Sequence, residues 1–140
     1  MITLTAVEAL LAACALHLGF QAVVTAVVYP ALFDVPADRF LAAHAAHSRR
    51  ITIVVAPVYA LLALGCLDVL VAGPRSLPAL VSVAAAAVAA GVTAFAAVPA
   101  HGRLAREGRS DDALRTLRVA DRVRCAAAIV AAIGALVAQA

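Results

Sequence analysis

ITIVVAPVYALLALGCLDVLVAGPRSLPALVSVAAAAVAAGVTAFAAVP, residues 51–99, decides the fold. Two apolar runs, Ile51 to Ala72 and Leu77 to Pro99, flank the turn Gly73-Pro74-Arg75-Ser76, and the only charge in either run is Asp68. Each run supplies the roughly 20 apolar residues that a membrane helix needs. A turn this short permits only an antiparallel hairpin.

Working outward, a third run spans Leu4 to Phe33. It has no basic n-region and is too long for a signal h-region, so it reads as a retained helix. The charge-free run after Asp121 is shorter, so its helix is expected to begin earlier, in the amphipathic stretch before it. The expected fold is all-α: an antiparallel bundle of four transmembrane helices at about 4–33, 51–72, 77–99 and 120–140. Residues 1–140 form one integral membrane domain. Composition agrees. The chain is 66% hydrophobic with mean hydropathy +1.04 and 14% charged, where a soluble domain is about half apolar. Lipid must cover what a polar shell of this size cannot.

Arginine placement sets the orientation. All eleven basic residues are Arg, and ten lie in or beside two connections. The first connection holds Arg39, Arg49 and Arg50. The second holds Arg103, Arg106, Arg109, Arg115 and Arg118, with Arg122 and Arg124 at the start of helix four. The opposite side holds Arg75 alone. By the positive-inside rule both Arg-rich connections are cytoplasmic and both termini are outside, in a multi-pass protein of the cell membrane. No aromatics are interleaved with these arginines, so no nucleic acid is expected as a partner. The stripe Arg115, Arg118, Arg122 reads as a solvated face beside anionic headgroups.

Both connections carry helical signals. Pro36 suits a first helical position, and Phe40, His44, His47 and Ile51 then share one face. Ser110 suits an N-cap, with Asp111 and Asp112 in the first turn and Asp111 four residues before Arg115. Pro30 and Pro99 are expected to end or kink their helices, and Pro57 to free a carbonyl. Helices three and four are rich in Ala, which lets backbones approach closely. Those faces pack on a bundle neighbour, on a second copy, or on another membrane subunit. Cys14, Cys66 and Cys125 fall in separate runs and read as small buried hydrophobes.

Polar groups within apolar spans point to sites. On helix one, Cys14, His17, Gln21, Thr25 and Tyr29 lie three or four apart on one face. That face is either an interhelical hydrogen-bond seam or, through His17, Gln21, Thr25 and Tyr29, the wall of a pocket for a lipophilic small molecule. Glu8 and Asp68 lie near the outer helix ends, where they snorkel or cap. At the cytoplasmic ends, His44 and His47 are three apart on a helix, His101 follows Pro99, and Asp121 and Arg124 open helix four. His44, His47, His101 and Asp121 have the chemistry to bind zinc, iron or copper. The same imidazoles suit metal-free acid–base work. Asp121 with Arg124 also reads as a structural ion pair.

Helix one ends Tyr29-Pro30-Ala31-Leu32 after Gly19-Phe20, helix three ends Val98-Pro99-Ala100-His101-Gly102-Arg103-Leu104, and helix four opens Asp121-Arg122-Val123-Arg124. In these features the chain resembles the anthrone-oxygenase-like family of small four-helix membrane proteins. The resemblance implies oxidation of a lipophilic, enolisable aromatic by dioxygen, chemistry that can run without a cofactor. It implies His101 with His44 or His47 as base and Arg124 as the group that stabilises the enolate. Two other classes fit the composition: a structural subunit of a membrane complex, with no cavity, and a small transporter, with Glu8, His17 or Asp68 facing a water-filled path.

Overall fold

Four long helices account for nearly all of residues 4–140, which the computed structural model describes. They are α1 (Ala6–Phe33), α2 (Phe40–Val71), α3 (Leu77–Glu107) and α4 (Asp111–Val137). No strand is present among the described residues. The first three are long and apolar enough to cross a membrane. Their outward faces suit lipid, with Leu16, Val27, Ile53, Leu64 and Phe95 all exposed.

Local chemistry sets the ends. Thr5 and Glu8 form a reciprocal capping box on α1, which satisfies two backbone donors that the first turn leaves open. Ser110 accepts from the Ala113 amide, capping α4 as expected. Arg75 closes α2 by donating to the Leu70 carbonyl at 2.8 Å. Arg109 donates to the carbonyls of Phe33 and Val35 at 2.7 and 3.0 Å, fixing the chain as it leaves α1.

Several boundaries differ from the sequence-based ones. Pro36 does not open a helix. It lies in a turn closed by the Arg39 amide on the Pro36 carbonyl at 3.1 Å, and α2 begins at Phe40. Helix α3 runs past Pro99 to Glu107, so His101 lies within it. Asp121 and Arg124 sit in the third and fourth turns of α4, which starts at Asp111. The close ion pair at that end joins Asp112 to Arg103 at 2.8 Å rather than Asp111 to Arg115.

Pro30 and Pro99 neither end nor break their helices. Each follows a π-helical turn, Val24–Val28 in α1 and Thr93–Ala97 in α3. The Tyr29 amide donates to the Val24 carbonyl and the Val98 amide to the Thr93 carbonyl, both five residues back. Proline has no N–H to give, and its ring presses on the carbonyl four residues back. One extra residue in the turn relieves that clash and lets the helix continue.

The helices alternate in direction. Gln139 donates to the Val7 carbonyl at 2.9 Å, so the end of α4 meets the start of α1. Both lie at the end of the molecule away from the Arg-rich connections. The Ala-rich faces of α3 and α4 pack on each other: Ser82 donates to the Ala131 carbonyl at 2.7 Å, and a Cβ on Gly134 would meet the Pro78 carbonyl at 2.9 Å. Two apolar clusters result. One holds Leu10, Cys14, Leu62, Val69 and Ala131. The other, toward the Arg-rich end, holds Tyr29, Phe40, Leu104 and Leu117. Between them lies a buried polar layer of His17, Gln21, Asp121 and Arg124. The three cysteines are free, with Cys14 buried.

Candidate functional site

The polar layer continues into a chain of side chains contributed by all four helices. Arg124 of α4 donates to the Tyr29 hydroxyl of α1 at 3.0 Å. That hydroxyl lies 3.4 Å from His101 Nε2 of α3, and His101 Nδ1 lies 3.0 Å from His44 Nε2 of α2. On its other side Arg124 pairs with Asp121 at 3.6 Å. Asp121 accepts from Gln21 at 2.7 Å, and Gln21 lies 3.4 Å from Thr25. His47 stacks against His101 with ring centroids 5.9 Å apart. Its Nε2 is buried and has no hydrogen-bond partner.

The two π turns build this arrangement. Each adds one residue to its helix, which rotates the downstream residues by about 100° relative to an uninterrupted helix. Tyr29 directly succeeds the first turn and His101 lies shortly after the second, and the two side chains meet. Phe40 stacks on His44 from one turn before it, with centroids 5.8 Å apart.

Beside the chain is a cavity of about 200 Å³ between α1, α2 and α3. Phe20, Val24, Val28, Val55, Ala97 and Val98 give it an apolar body. Tyr29, His47, His101 and Arg124 give it one polar wall, and Ser48, Thr52 and Thr93 add hydroxyls. Thr52 and Val98 are exposed, so the cavity reaches the outer surface between α2 and α3. Thr93 donates to the Ala89 carbonyl at 2.9 Å and therefore accepts from the Tyr59 hydroxyl at 2.7 Å.

His47, His101 and Arg124 thus come together at the cavity, with His44 directly behind His101. Asp121 stands apart from the imidazoles, held by Arg124 and Gln21. Among the described residues no group of three His, Cys, Asp or Glu is disposed to hold a metal ion. Nitrogens that would ligate in His44 and His101 face each other instead.

The polar face of α1 is mainly a seam. Cys14 meets Ser82 at 3.5 Å, Gln21 meets Asp121, and Tyr29 meets Arg124. Of the four α1 residues expected to line a pocket, only Tyr29 borders this cavity. Thr25 and Tyr29 border a second one of about 360 Å³, with Arg118, Asp121 and Arg122. His17 is fully buried, edge-on to Tyr59 at 5.0 Å, and neither ring nitrogen has a partner. Glu8 and Asp68 are exposed and do not line the cavity. Phe20, Thr93 and Ser48 carry no site signal in the sequence beyond proximity to the prolines and histidines of the same helices.

No protein-family model matches the chain, and no curated protein or solved structure shows detectable similarity to it.

Proposed function

We propose that this is a multi-pass protein of the cell membrane, with α4 as its fourth transmembrane helix and its Arg-rich end in the cytoplasm. It acts as an oxygenase-like oxidoreductase on a lipophilic, enolisable aromatic. The observation that carries this reading is the cavity itself. It is apolar along its body, reaches the lipid-facing surface between α2 and α3, and ends on Tyr29, His47, His101 and Arg124.

The roles follow from the bonds already formed. His44 and His101 engage each other, whereas the His47 ring lines the cavity and is hydrogen-bonded to neither. His47 is therefore the base that accepts the proton released as the substrate forms its enolate. Arg124 places a fixed positive charge at the same wall, where enolate charge develops. Dioxygen adds to the carbanion carbon, the peroxide anion takes the proton back from His47, and the hydroperoxide then loses water. A CH2 group plus O2 becomes a C=O group plus H2O. The protein supplies only the base, the countercharge and a dry pocket.

Enolisation can be tested without oxidation. Under nitrogen in deuterated buffer, the protein in mild detergent is expected to speed deuterium uptake at the CH2 carbon of anthrone, monitored by proton NMR. The His47→Ala variant is expected to lose the acceleration. Exchange no faster than in detergent alone would sink the proposal.

A further inference from the structure

The chain Arg124–Tyr29–His101–His44 can be polarised in two directions, and a donor count shows what each direction binds. Arg124 only donates, so its bond uses one acceptor position of the Tyr29 oxygen. Within the protein the Tyr29 O–H has one acceptor in reach, His101 Nε2. A buried hydroxyl takes such a partner. His101 then carries its proton on Nδ1 and donates to His44 Nε2 at 3.0 Å. One acceptor position of the Tyr29 oxygen is left for a ligand that brings an O–H.

The opposite direction uses the same three contacts. His44 donates from Nε2 to His101 Nδ1, His101 donates from Nε2 to the Tyr29 oxygen, and the Tyr29 O–H turns to a ligand that brings a carbonyl. Every ring stays neutral in both states. Only the tautomers of His44 and His101 change.

We propose that this chain is a tautomer switch that lets one cavity hold both an aromatic that presents a hydrogen-bond donor and one that presents only an acceptor, such as a ketone or quinone. His44, which does not line the cavity, is the specificity-determining residue. The inference rests on the cavity being the ligand site named above, and it matches a reaction whose substrate enolises to an O–H and whose product carries a C=O. Without His44, an Nδ1 proton on His101 would be buried with no acceptor. His101 would then keep its proton on Nε2, and the Tyr29 hydroxyl would face only acceptors.

The probes are two fused tricyclic aromatics of similar size: carbazole, whose N–H only donates, and 9-fluorenone, whose carbonyl only accepts. The chain has no Trp, so ligand emission is read against a low background. The wild-type protein in detergent micelles is expected to bind both with Kd values within about threefold. His44→Leu is expected to weaken carbazole about tenfold, the loss of one hydrogen bond, and leave the ketone unchanged. His44→Gln, whose amide both donates and accepts, is expected to restore carbazole binding. In 15N spectra of histidine-labelled wild type, His101 is expected to carry its proton on Nδ1 with carbazole and on Nε2 with the ketone. The same tautomer in both complexes, or equal weakening of both ligands in His44→Leu, would overturn the switch and leave the cavity reading in place. Failure of either compound to bind the wild type would overturn both.

Discussion

Replacing Asp121 with Asn tests the polar layer that positions the site. Asp121 and Arg124 are each 5% exposed, and their charged atoms lie 3.6 Å apart. At that distance and an effective dielectric of about 20, the pair attracts by about 5 kcal/mol. An Asn retains an oxygen for the Gln21 amide, so that bond survives and the change isolates the charge. Arg124 would be left buried beside Tyr29 without its counterion. The assay is unfolding by SDS in mixed micelles, monitored by far-UV circular dichroism. Asp121→Asn is expected to lose about 3–5 kcal/mol, the cost of stranding one partner of a buried pair. An Asp121→Leu/Arg124→Leu double variant is expected to lose less than Asp121→Asn alone, because no charge remains to be desolvated. A single variant within about 0.5 kcal/mol of wild type, the behaviour of an ordinary surface change, would refute the reasoning. So would a double variant worse than the single one.

Other outcomes rest on packing, charge and donor geometry. Gly134→Ala places a methyl 2.9 Å from the Pro78 carbonyl and is expected to cost about 1–3 kcal/mol in the same assay. Gly91→Ala meets nothing within 4 Å and is expected to be neutral or stabilising by up to about 1 kcal/mol. The Asp112 carboxyl is held below its ordinary value by its hydrogen bond from Arg103, with the guanidinium charge adding to it. Its contribution is therefore present at neutral pH and lost as the pH falls through that lowered value. Thermal melts of wild type and Asp112→Asn are expected to differ slightly at pH 7 and to converge as the solution is acidified below the ordinary carboxylate range. Elemental mass spectrometry of untagged protein is expected to find only trace metal, because the His44 and His101 nitrogens bond each other and Asp121 is occupied elsewhere. Near-stoichiometric iron, copper or zinc that disappears in a His44→Ala/His47→Ala/His101→Ala variant would contradict that hydrogen-bond reading.

Helix number, the hairpin at Gly73–Ser76 and the shared polar face of α1 were legible because they depend on hydropathy and on spacing along one helix. Helix ends were less so. The pattern Phe40, His44, His47, Ile51 belongs to the same helix as the apolar run after it, and a span estimate based on hydropathy stops where the polar residues begin. The same effect cut α3 short of Glu107. The π turns left no composition signal, since Pro30 and Pro99 are compatible with an ending, a kink or an inserted residue. Which of these occurs sets the phase of everything downstream, so Tyr29 meeting His101 could not be read from spacing. Topology placed the three histidines at one end. Only the side-chain geometry separates two imidazoles that bond each other from a third whose nitrogen is unpartnered. The Ala-rich faces were ambiguous for a related reason: small residues permit close approach without naming the partner, and here α3 and α4 choose each other.

Oxygen uptake tests the central claim most directly. The protein, reconstituted in liposomes, would be given anthrone under 18O2, with oxygen consumption and the label in the product tracked together. Catalysed uptake of one O2 per anthrone is predicted, with one 18O atom in the anthraquinone formed and the catalysed rate lost in His47→Ala. Uptake no faster than in protein-free liposomes, or undiminished in His47→Ala, would contradict the assignment of this cavity and its base.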